Sequence, residues 1–373
     1  MRIIEVETLV LRLPNVAEVC DGTQDAFVVR VHTDAGVTGI GEADSMPTVL
    51  KAIFEAPTSN SIGHGLNELL VGQDPLQIEP LWQRMYDGTL YLGGSGVRLA
   101  AISGVEMALW DIAGKVAGRP TYELLGGAFR PRVRAYASVL FPEDPSDVAS
   151  VRTAAQRLRE QGYSAMKFGW GGFGSEARAD VALVRAAREG AGDDADLLID
   201  VGLRWDVSTT MERAEALAEF RPYWLEAPMP HEPVDAYAEL CETSPIRIAC
   251  ETGGGFWESL HFLRRGRLDV ILPDVSNVGG LSQWKRVAQA AAAEGAWCVP
   301  HNFSTGILTA ASLHVVANQP ATNLIECSEA GSPLNTDLVK PNLRPRDGYI
   351  ELPDGPGLGV ELNEEVVRRY RVG

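Results

Sequence analysis

Six apolar runs decide the fold of this sequence: LLIDVG (197–202), YWLEAP (223–228), IRIACE (246–251), VILPDV (270–275), WCVPHN (297–302) and NLIECS (323–328). Two more runs, VRAYASV (133–139) and YSAMKF (163–168), precede them. Helical stretches such as GLSQWKRVAQAAAAEG (280–295) lie between the runs. Eight short apolar runs that alternate with amphipathic helices predict an α/β fold, a parallel (β/α)8 barrel.

The residues before the barrel have a different pattern. IIEVETLVLRL and AFVVRVHTDAGVTGIGEA, within residues 1–43, predict a small antiparallel sheet, and VRLAAISGVEMALWDIAGKVAG (97–118) predicts a long helix. We therefore expect an N-terminal α+β capping domain over residues 1–128 and a barrel domain over residues 129–338. Residues 339–373 are too short for a domain, and we expect them to pack back on the cap.

Composition narrows the possible functions. The chain has 373 residues and a formal net charge of −17, which disfavours nucleic acid and anionic membranes as partners. No apolar run approaches the length of a membrane span, and the start of the sequence is typical of a strand rather than a signal peptide. The five cysteines are widely spaced, which favours a reducing cytoplasm over a disulfide scaffold or a zinc site. Large barrels often associate, so we also expect a homo-oligomer.

Each run from the second onward ends in a polar residue. The spacing of these residues varies between 23 positions (Glu251 to Asp274) and 33 positions (Lys167 to Asp200), about one strand–helix repeat. Any one of them alone could be a helix cap or a solvated loop residue, but seven in consecutive register are hard to explain by chance. We predict that they share the rim at the carboxyl ends of the strands, where barrel active sites lie. The seven residues are Lys167, Asp200, Glu226, Glu251, Asp274, His301 and Glu326.

Three consecutive members of this ring are acidic. Asp200, Glu226 and Glu251 would repel one another strongly without a cation between them. Oxygen ligands with no nearby Cys or His suit a hard ion, so we predict that the three carboxylates bind Mg²⁺.

The other four members predict acid–base chemistry. Asp274 can orient the imidazole of His301 on the neighbouring strand, which makes His301 a candidate general base. Lys167 faces the acidic cluster and can share developing negative charge; its alternative is an ordinary ion pair. Glu326 across the barrel can hydrogen-bond an enolic oxygen if it is protonated, with Glu329 as a weaker competitor for that role.

These motifs, together with GVEMALWDIAGK (104–115) and PDGPGLG (353–359), resemble those of the enolase superfamily, in the mandelate racemase subgroup, over nearly the whole chain. The resemblance implies that Asp200, Glu226 and Glu251 bind Mg²⁺ and that Asp274 and His301 form the base. It also implies that Glu326 is an electrophilic hydrogen-bond donor. The chemistry implied is removal of the proton next to a carboxylate of a small-molecule substrate.

Three positions depart from the pattern of many relatives. Lys-x-Lys is here Lys167-Phe-Gly169, so a second base is missing; Asp-x-Asn is Asp200-Val-Gly202; and Glu-Glu-Pro is Glu226-Ala-Pro228. A single base favours dehydration of a sugar acid to a 2-keto-3-deoxy acid. The alternatives are a lactone cycloisomerase, a racemase or epimerase with the same first step, and a barrel without activity.

Substrate specificity is expected to come from loops over the barrel mouth. Residues 19–25 and 44–48 are the candidate cap loops, and Trp170 can wall the pocket or simply cover the barrel edge. As an alternative, each of these residues belongs to a surface loop that does not contact substrate. The candidate substrate contacts are Asp21, Thr23, Gln24, Ser45, Trp170 and Asn302.

Overall fold

The N-terminal part is a three-stranded antiparallel sheet covered by helices. The computed structural model describes residues 1–372. Strands β1 (Ile3–Arg12), β2 (Asp25–Thr33) and β3 (Thr38–Ala43) pair in that order. Their apolar faces pack against the helices that follow, most closely against α4. The helices are α1 (Pro47–Glu55), α2 (Leu66–Leu70), α3 (Ile78–Gly88), α4 (Val97–Ala117) and α5 (Thr121–Leu124), with one 3₁₀ turn (Leu90–Leu92) before α4.

Eight parallel strands form the second part, as the apolar runs predict. They pair along the path β10-β9-β8-β7-β6-β5-β4-β11. The strands are β4 (Arg132–Leu140), β5 (Ala165–Gly169), β6 (Asp196–Asp200), β7 (Pro222–Glu226), β8 (Ile248–Cys250), β9 (Val270–Ile271), β10 (Trp297–Cys298) and β11 (Leu324–Ser328). Between β10 and β11, the hydroxyl of Thr322 donates a hydrogen bond to the carbonyl of Cys298 (2.6 Å).

Helices connect these strands on the outside of the sheet, and their apolar faces form the largest hydrophobic core with the outer face of the strands. The helices are α6 (Val148–Glu160), α7 (Ala177–Ala191), α8 (Val207–Leu217), α9 (Val234–Thr243), α10 (Phe256–His261), α11 (Leu281–Glu294) and α12 (Gly306–Ala317), with short turns of other helical types at Ala218–Phe220 and Phe262–Gly266. This is the capped (β/α)8 architecture that the sequence predicts.

The inner face of the barrel shows why the polar residues converge. Side chains of a strand alternate between the two faces, so residues two positions apart point the same way. Every polar residue of the predicted ring lies two positions after a residue of the small apolar cluster inside the barrel, and therefore points inward at the carboxyl end. The pairs are Ala165 and Lys167, Leu198 and Asp200, Trp224 and Glu226, Ala249 and Glu251, Leu272 and Asp274, Val299 and His301, and Leu324 and Glu326.

The C-terminal residues contact the N-terminal part. They contain α13 (Pro333–Thr336), β12 (Val339–Lys340), β13 (Tyr349–Glu351), β14 (Glu361–Leu362) and α14 (Glu364–Tyr370). The N–H of Leu358 donates to Asp111 of α4 (2.8 Å), and that of Val372 donates to the carbonyl of Val10 (2.9 Å). The domain limits proposed above remain predictions. No helix among residues 1–372 has both the length and the apolar character needed to cross a bilayer.

Candidate active site

A cavity opens at the carboxyl ends of the strands, under the N-terminal part. It offers about 260 Å³ to water-sized molecules. Six of the seven predicted ring residues line it: Lys167, Asp200, Glu226, Glu251, His301 and Glu326. The seventh, Asp274, is fully buried behind His301. The structure therefore brings together all the polar residues that the sequence pattern placed at this rim.

Asp274 fixes the orientation of His301. Its Oδ1 accepts hydrogen bonds from the backbone N–H (2.6 Å) and hydroxyl (2.5 Å) of Ser276, and its Oδ2 lies 2.8 Å from Nδ1 of His301. Because a carboxylate only accepts, Nδ1 carries the proton and Nε2 is left to face the cavity. Burial lowers the pKa of His301, but the carboxylates of Glu251 and Asp274 outweigh it and hold that pKa well above its ordinary value. The neutral form that acts as a base therefore requires part of this negative charge to be offset, as a cation at Glu251 would do.

Lys167 lies at the centre of the acidic cluster. Its ammonium is 2.7 Å from Glu226 Oε1, 2.8 Å from Glu326 Oε1 and 3.6 Å from Asp200 Oδ2. Burial alone would lower the pKa of this amine, yet Glu226 and Glu326 raise it well above the usual range. Both pairings favour the charged ammonium form of Lys167.

The three predicted metal ligands stand on adjacent strands. Asp200 and Glu226 are register partners on β6 and β7, and Glu251 follows the end of β8 directly. Burial and then the neighbouring carboxylates raise the pKa of Glu226 to about 7, against the opposing effect of Lys167. These groups are thus crowded by like charge, which is the condition a cation relieves.

The donor chemistry of this trio fits a hard divalent cation, because all its ligand atoms are carboxylate oxygens. Among residues 1–372, no three His, Cys, Asp or Glu side chains are close enough together to hold a metal ion, and the ammonium of Lys167 contacts both Asp200 and Glu226. Each carboxylate has a neighbouring donor that orients it, namely Trp170 for Asp200 (3.2 Å), Trp224 for Glu226 (3.1 Å) and Asn277 for Glu251 (3.3 Å). The assignment of Mg²⁺ stays a proposal.

Glu326 is bonded as an acceptor. Besides Lys167 at Oε1, its Oε2 accepts the N–H of Asn302 (3.0 Å). Burial raises the pKa of Glu326, but Lys167 and His301 overcome that effect and lower it to about 2. The sequence predicts that Glu326 donates a hydrogen bond in its protonated form. For that role, the carboxylate that faces Lys167 and Asn302 would have to take up a proton.

Of the predicted substrate contacts, Trp170 lines the cavity and the other five do not. Asp21 accepts hydrogen bonds from the N–H (2.9 Å) and hydroxyl (2.6 Å) of Thr23, and Gln24 bonds both backbone groups of Ala17. These three side chains shape their own loop.

The remaining two also lie outside the cavity wall. Asn302 is buried and donates to the carbonyl of Glu326 (2.8 Å), so its amide supports the strand end instead of facing the cavity. Ser45 is half-buried in the segment between β3 and α1 and does not line the cavity.

Further residues line the cavity that the sequence did not predict as substrate contacts. Cys20, Gly22 and Asp44 reach it from the N-terminal part, and His231 reaches it from the loop after β7. Burial, Asp274 and Glu42 raise the pKa of Asp44 to about 8. A signal for Asp44 exists in the sequence, since it lies two positions after the buried Glu42 and so points to the same side; His231 gives no comparable signal.

Both glycines of the departing motifs are closely packed in this structure. A Cβ on Gly169 would lie 2.5 Å from Cβ of Asp200, so no side chain fits there while Asp200 keeps its place. Gly202 has φ +71°, and a Cβ there would lie 2.9 Å from the indole ring of Trp170. Trp170 thus covers the position at which relatives carry Asn.

A (β/α)8 barrel with this ring of strand-end residues under an α+β cap defines an enzyme of the enolase type. Comparison with known families agrees: the mandelate racemase/muconate lactonizing enzyme N-terminal domain matches residues 3–126, and the enolase C-terminal domain-like family matches residues 149–366. The chain belongs to the mandelate racemase/muconate lactonizing enzyme family of the enolase superfamily.

Individual relatives are similar over most of their length. The chain is 32% identical to D-galactarolactone cycloisomerase of Agrobacterium fabrum, covering 92% of this chain and 91% of that protein. It is 33% identical to D-gluconate dehydratase of Thermoproteus tenax, covering 93% and 70%. A crystal structure of a predicted mandelate racemase from Rhodobacter sphaeroides superposes with a TM-score of 0.90 at 33% identity, over 100% of this chain and 95% of that one.

Proposed function

We propose that this enzyme removes the proton next to the carboxylate of a sugar acid and expels the β-hydroxyl, giving a 2-keto-3-deoxy acid. The observation that carries the proposal is the Asp274–His301 pair, whose Nδ1–Oδ2 distance is 2.8 Å and whose free Nε2 faces the cavity. The similarity to D-gluconate dehydratase supports the substrate class, because D-gluconate is a sugar acid. We expect a small-molecule carboxylate as the substrate; a homo-oligomer and a cytoplasmic location remain predictions.

Asp200, Glu226 and Glu251 are the residues that would hold Mg²⁺, the ion that members of this superfamily generally use. When bound, such an ion supplies positive charge close to the substrate carboxylate, where negative charge grows as the neighbouring proton leaves. The chain adds Lys167, whose ammonium pairs with two of these carboxylates, Asp200 and Glu226, and neutralises part of their charge.

His301 carries the proton transfers. Nε2 takes the α-proton, the electron pair of that C–H bond forms the α,β double bond, and the β C–O bond breaks. The departing hydroxide takes the proton from the imidazolium and leaves as water, and the resulting enol gains a proton from solvent at the β-carbon and loses the proton of its 2-hydroxyl to solvent, which gives the keto acid. Asp274 holds Nδ1 protonated throughout, so that Nε2 accepts and returns one proton.

The second candidate is lactone cycloisomerisation, favoured by the similarity to D-galactarolactone cycloisomerase over 92% of the chain. It uses the same first step, but the group expelled is the ring oxygen of the lactone and no water is lost. Epimerisation is less well supported, because a base on each face of the substrate is usual and no side chain fits at Gly169.

The test is a panel of purified mono- and diacid sugars and their lactones, incubated with the protein and Mg²⁺ in D₂O. Loss of one water by mass spectrometry together with a 2-keto product indicates dehydration. An isomeric product from a lactone indicates cycloisomerisation. Deuterium at the α-carbon of unchanged acid indicates epimerisation or a stalled first step. Full turnover by His301→Asn would contradict the assignment of the base in every case.

A further inference from the structure

Glu106 of α4, in the N-terminal part, caps a helix of the barrel. Its Oε2 accepts the backbone N–H of Leu281 (2.7 Å), and its Oε1 accepts the N–H of Ser282 (3.0 Å) and the indole N–H of Trp110 (2.9 Å). Leu281 and Ser282 open α11, and the residue before them is Gly280, which has no side chain to offer. Glu106 is fully buried. The N-terminal cap of α11 therefore comes from outside the barrel.

Glu42, at the end of β3, does the same for the next helix. Its Oε1 accepts the hydroxyl of Ser304 (2.5 Å), and its Oε2 accepts the hydroxyl of Thr305 (2.5 Å) and the backbone N–H of Leu308 (3.0 Å). Thr305 is the residue immediately before α12, and Glu42 is fully buried. Two barrel helices in succession are thus held by carboxylates of the N-terminal part.

Two other barrel helices, α6 and α8, have side-chain caps from their own segment, and at α12 Thr305 accepts the N–H of Ile307 (3.0 Å) besides the contacts of Glu42. Asp147 accepts the N–H of Ser150 (3.1 Å) at the start of α6, and Asp206 accepts that of Thr209 (2.7 Å) at the start of α8. The helices capped from the N-terminal part are those that follow β9 and β10. These are the two strands that lead to Asp274 and His301.

Short segments connect Asp274 and His301 to the groups that Glu106 and Glu42 bind, and we call these two sets of contacts the Glu106 clamp and the Glu42 clamp. Between Asp274 and α11 the chain makes a turn in which the N–H of Val278 bonds the carbonyl of Asp274 (2.9 Å) and the N–H of Gly279 bonds the hydroxyl of Ser103 on α4 (2.8 Å). After His301, the clamped Ser304 is only three residues away. The 2.8 Å contact between Asp274 and His301 therefore joins two loops that are both tied to the N-terminal part, in addition to the β-bridge between the two residues.

Glu42 and Glu106 stand on one rigid support. β3 crosses α4 in direct backbone contact: a Cβ on Gly41 would lie 2.0 Å from the carbonyl oxygen of Gly104. A carboxylate at a helix N-terminus is stabilised by the free N–H groups and the positive end of the helix dipole. Such a support fixes the spacing of α11 and α12 to each other.

We propose that Glu42 and Glu106 are positioning residues, which keep Asp274 and His301 in hydrogen-bond register by fixing the N-termini of α11 and α12. They touch neither substrate nor the reacting atoms. In Glu106→Gln the new amide NH₂ meets a backbone or indole N–H, and in Glu42→Gln a neutral amide replaces the charged acceptor at Ser304 and Thr305, so both contacts weaken while the size of the side chain is kept. Asp111→Asn is the matched control, because Asp111 is also a buried carboxylate of α4, but it accepts from Ile40 (3.0 Å) and Leu358 (2.8 Å) and pairs with Lys115 (2.8 Å), none of which belongs to the two loops.

Two readouts separate positioning from plain destabilisation. The first is the downfield proton resonance of His301 Nδ1–H, assigned by its absence in His301→Asn; it requires no substrate. The second is kcat against KM on the acid identified by the panel, and this readout alone rests on the proposed function. If no acid is turned over, the proposed function fails and the resonance decides the positioning role by itself.

For the two Gln variants we expect the resonance to broaden or shift and kcat to fall about tenfold or more, with KM within about twofold. Asp111→Asn should lower the melting temperature and leave resonance and kcat as they are. Where a Gln variant does not fold, two milder substitutions take its place. Ser103→Ala removes the hydrogen bond to Gly279, Ser304→Ala removes the one to Glu42, and the same resonance is measured in each. Variants that lose stability but keep both resonance and kcat, as the control does, would overturn the proposal.

Discussion

Asp274→Asn is the substitution that tests the proposed base most directly. The side chain keeps its shape, and its carbonyl oxygen can still accept both hydrogen bonds from Ser276 (2.5 and 2.6 Å). The amide NH₂ then faces His301, so Nδ1 must become the acceptor and the ring proton moves to Nε2. The nitrogen that faces the cavity is thereby protonated and cannot take the α-proton.

The magnitude follows from the lost charge. At the observed separation of 2.8 Å, a carboxylate and an imidazolium attract each other by about 6 kcal/mol if the effective dielectric constant is about 20. That energy corresponds to about four orders of magnitude in rate, and it is an upper value because water in the cavity screens the pair. The comparable substitution in serine-protease triads costs about 10⁴ in kcat. We therefore expect a loss of about 10³ to 10⁴.

The assay is exchange of the substrate α-proton in D₂O, followed by NMR, because it reports the first step whatever group leaves afterwards. Asp147→Asn, which changes a carboxylate at the start of α6 outside the cavity, serves as the control. Thermal unfolding should be nearly the same for both variants. Exchange by Asp274→Asn at more than about a tenth of the native rate would show that Asp274 does not set the tautomer of the base.

Three further predictions concern the metal site and stability. Mg²⁺ should raise the melting temperature, and a chelator should reverse the rise. At a hundredfold excess of Mg²⁺ over Kd, the free energy of unfolding should increase by about 3 kcal/mol. If Mg²⁺ still raises the melting temperature of Glu226→Gln by the same amount, the ion binds elsewhere. Gly169→Ala should weaken Mg²⁺ binding about tenfold or more, because its Cβ would meet Asp200 at 2.5 Å, and unchanged affinity would mean that Asp200 is not a ligand. Burial lowers the pKa of His314 from 6.5 to about 4, so the folded state favours the neutral imidazole. The contribution of His314 to the free energy of unfolding should therefore be fully present above about pH 6.5 and decline towards pH 4, by up to about 3 kcal/mol. His314→Gln should flatten that part of the unfolding profile, and an unchanged profile would assign the acid sensitivity to other groups.

The ring of polar residues could be predicted from sequence because it depends on two regular properties of parallel barrels. Carboxyl ends of successive strands lie at the same rim, and alternation along a strand fixes which residues point inward. Lys167, Glu226 and His301 obey both rules, since each ends an apolar run and lies two positions after an inner core residue. Spacing along the chain therefore translated into proximity in space.

The cap loops could not be predicted in the same way, because loop side chains bond wherever their own backbone turns. Asp21 and Thr23 bond each other, while Cys20 and Asp44 reach the cavity. The ionisation of Glu326 was also beyond the sequence, since it depends on an ammonium 2.8 Å away. The Glu106 clamp joins groups 175 residues apart, and no local pattern reports such a contact.

The β5–β6 side of the cavity bears on whether the enzyme uses one base or two. Lys167 there is held as an ammonium by Glu226 and Glu326, and a Cβ at Gly169 would collide with Asp200. Among the described residues that line the cavity, His231 is a further histidine, and its Nε2 is buried without a hydrogen-bond partner.

Its loop follows β7, three strands round the barrel from β10, so His231 approaches the substrate from a different side than His301. If the enzyme does epimerise an acid, we expect His231 to be the second base. His231→Gln should then exchange the α-proton of one epimer at the native rate and lose exchange of the other, measured in D₂O on the separated epimers. Equal exchange of both epimers by His231→Gln would exclude that role, and absence of exchange from one epimer in the native enzyme would show that His301 works alone.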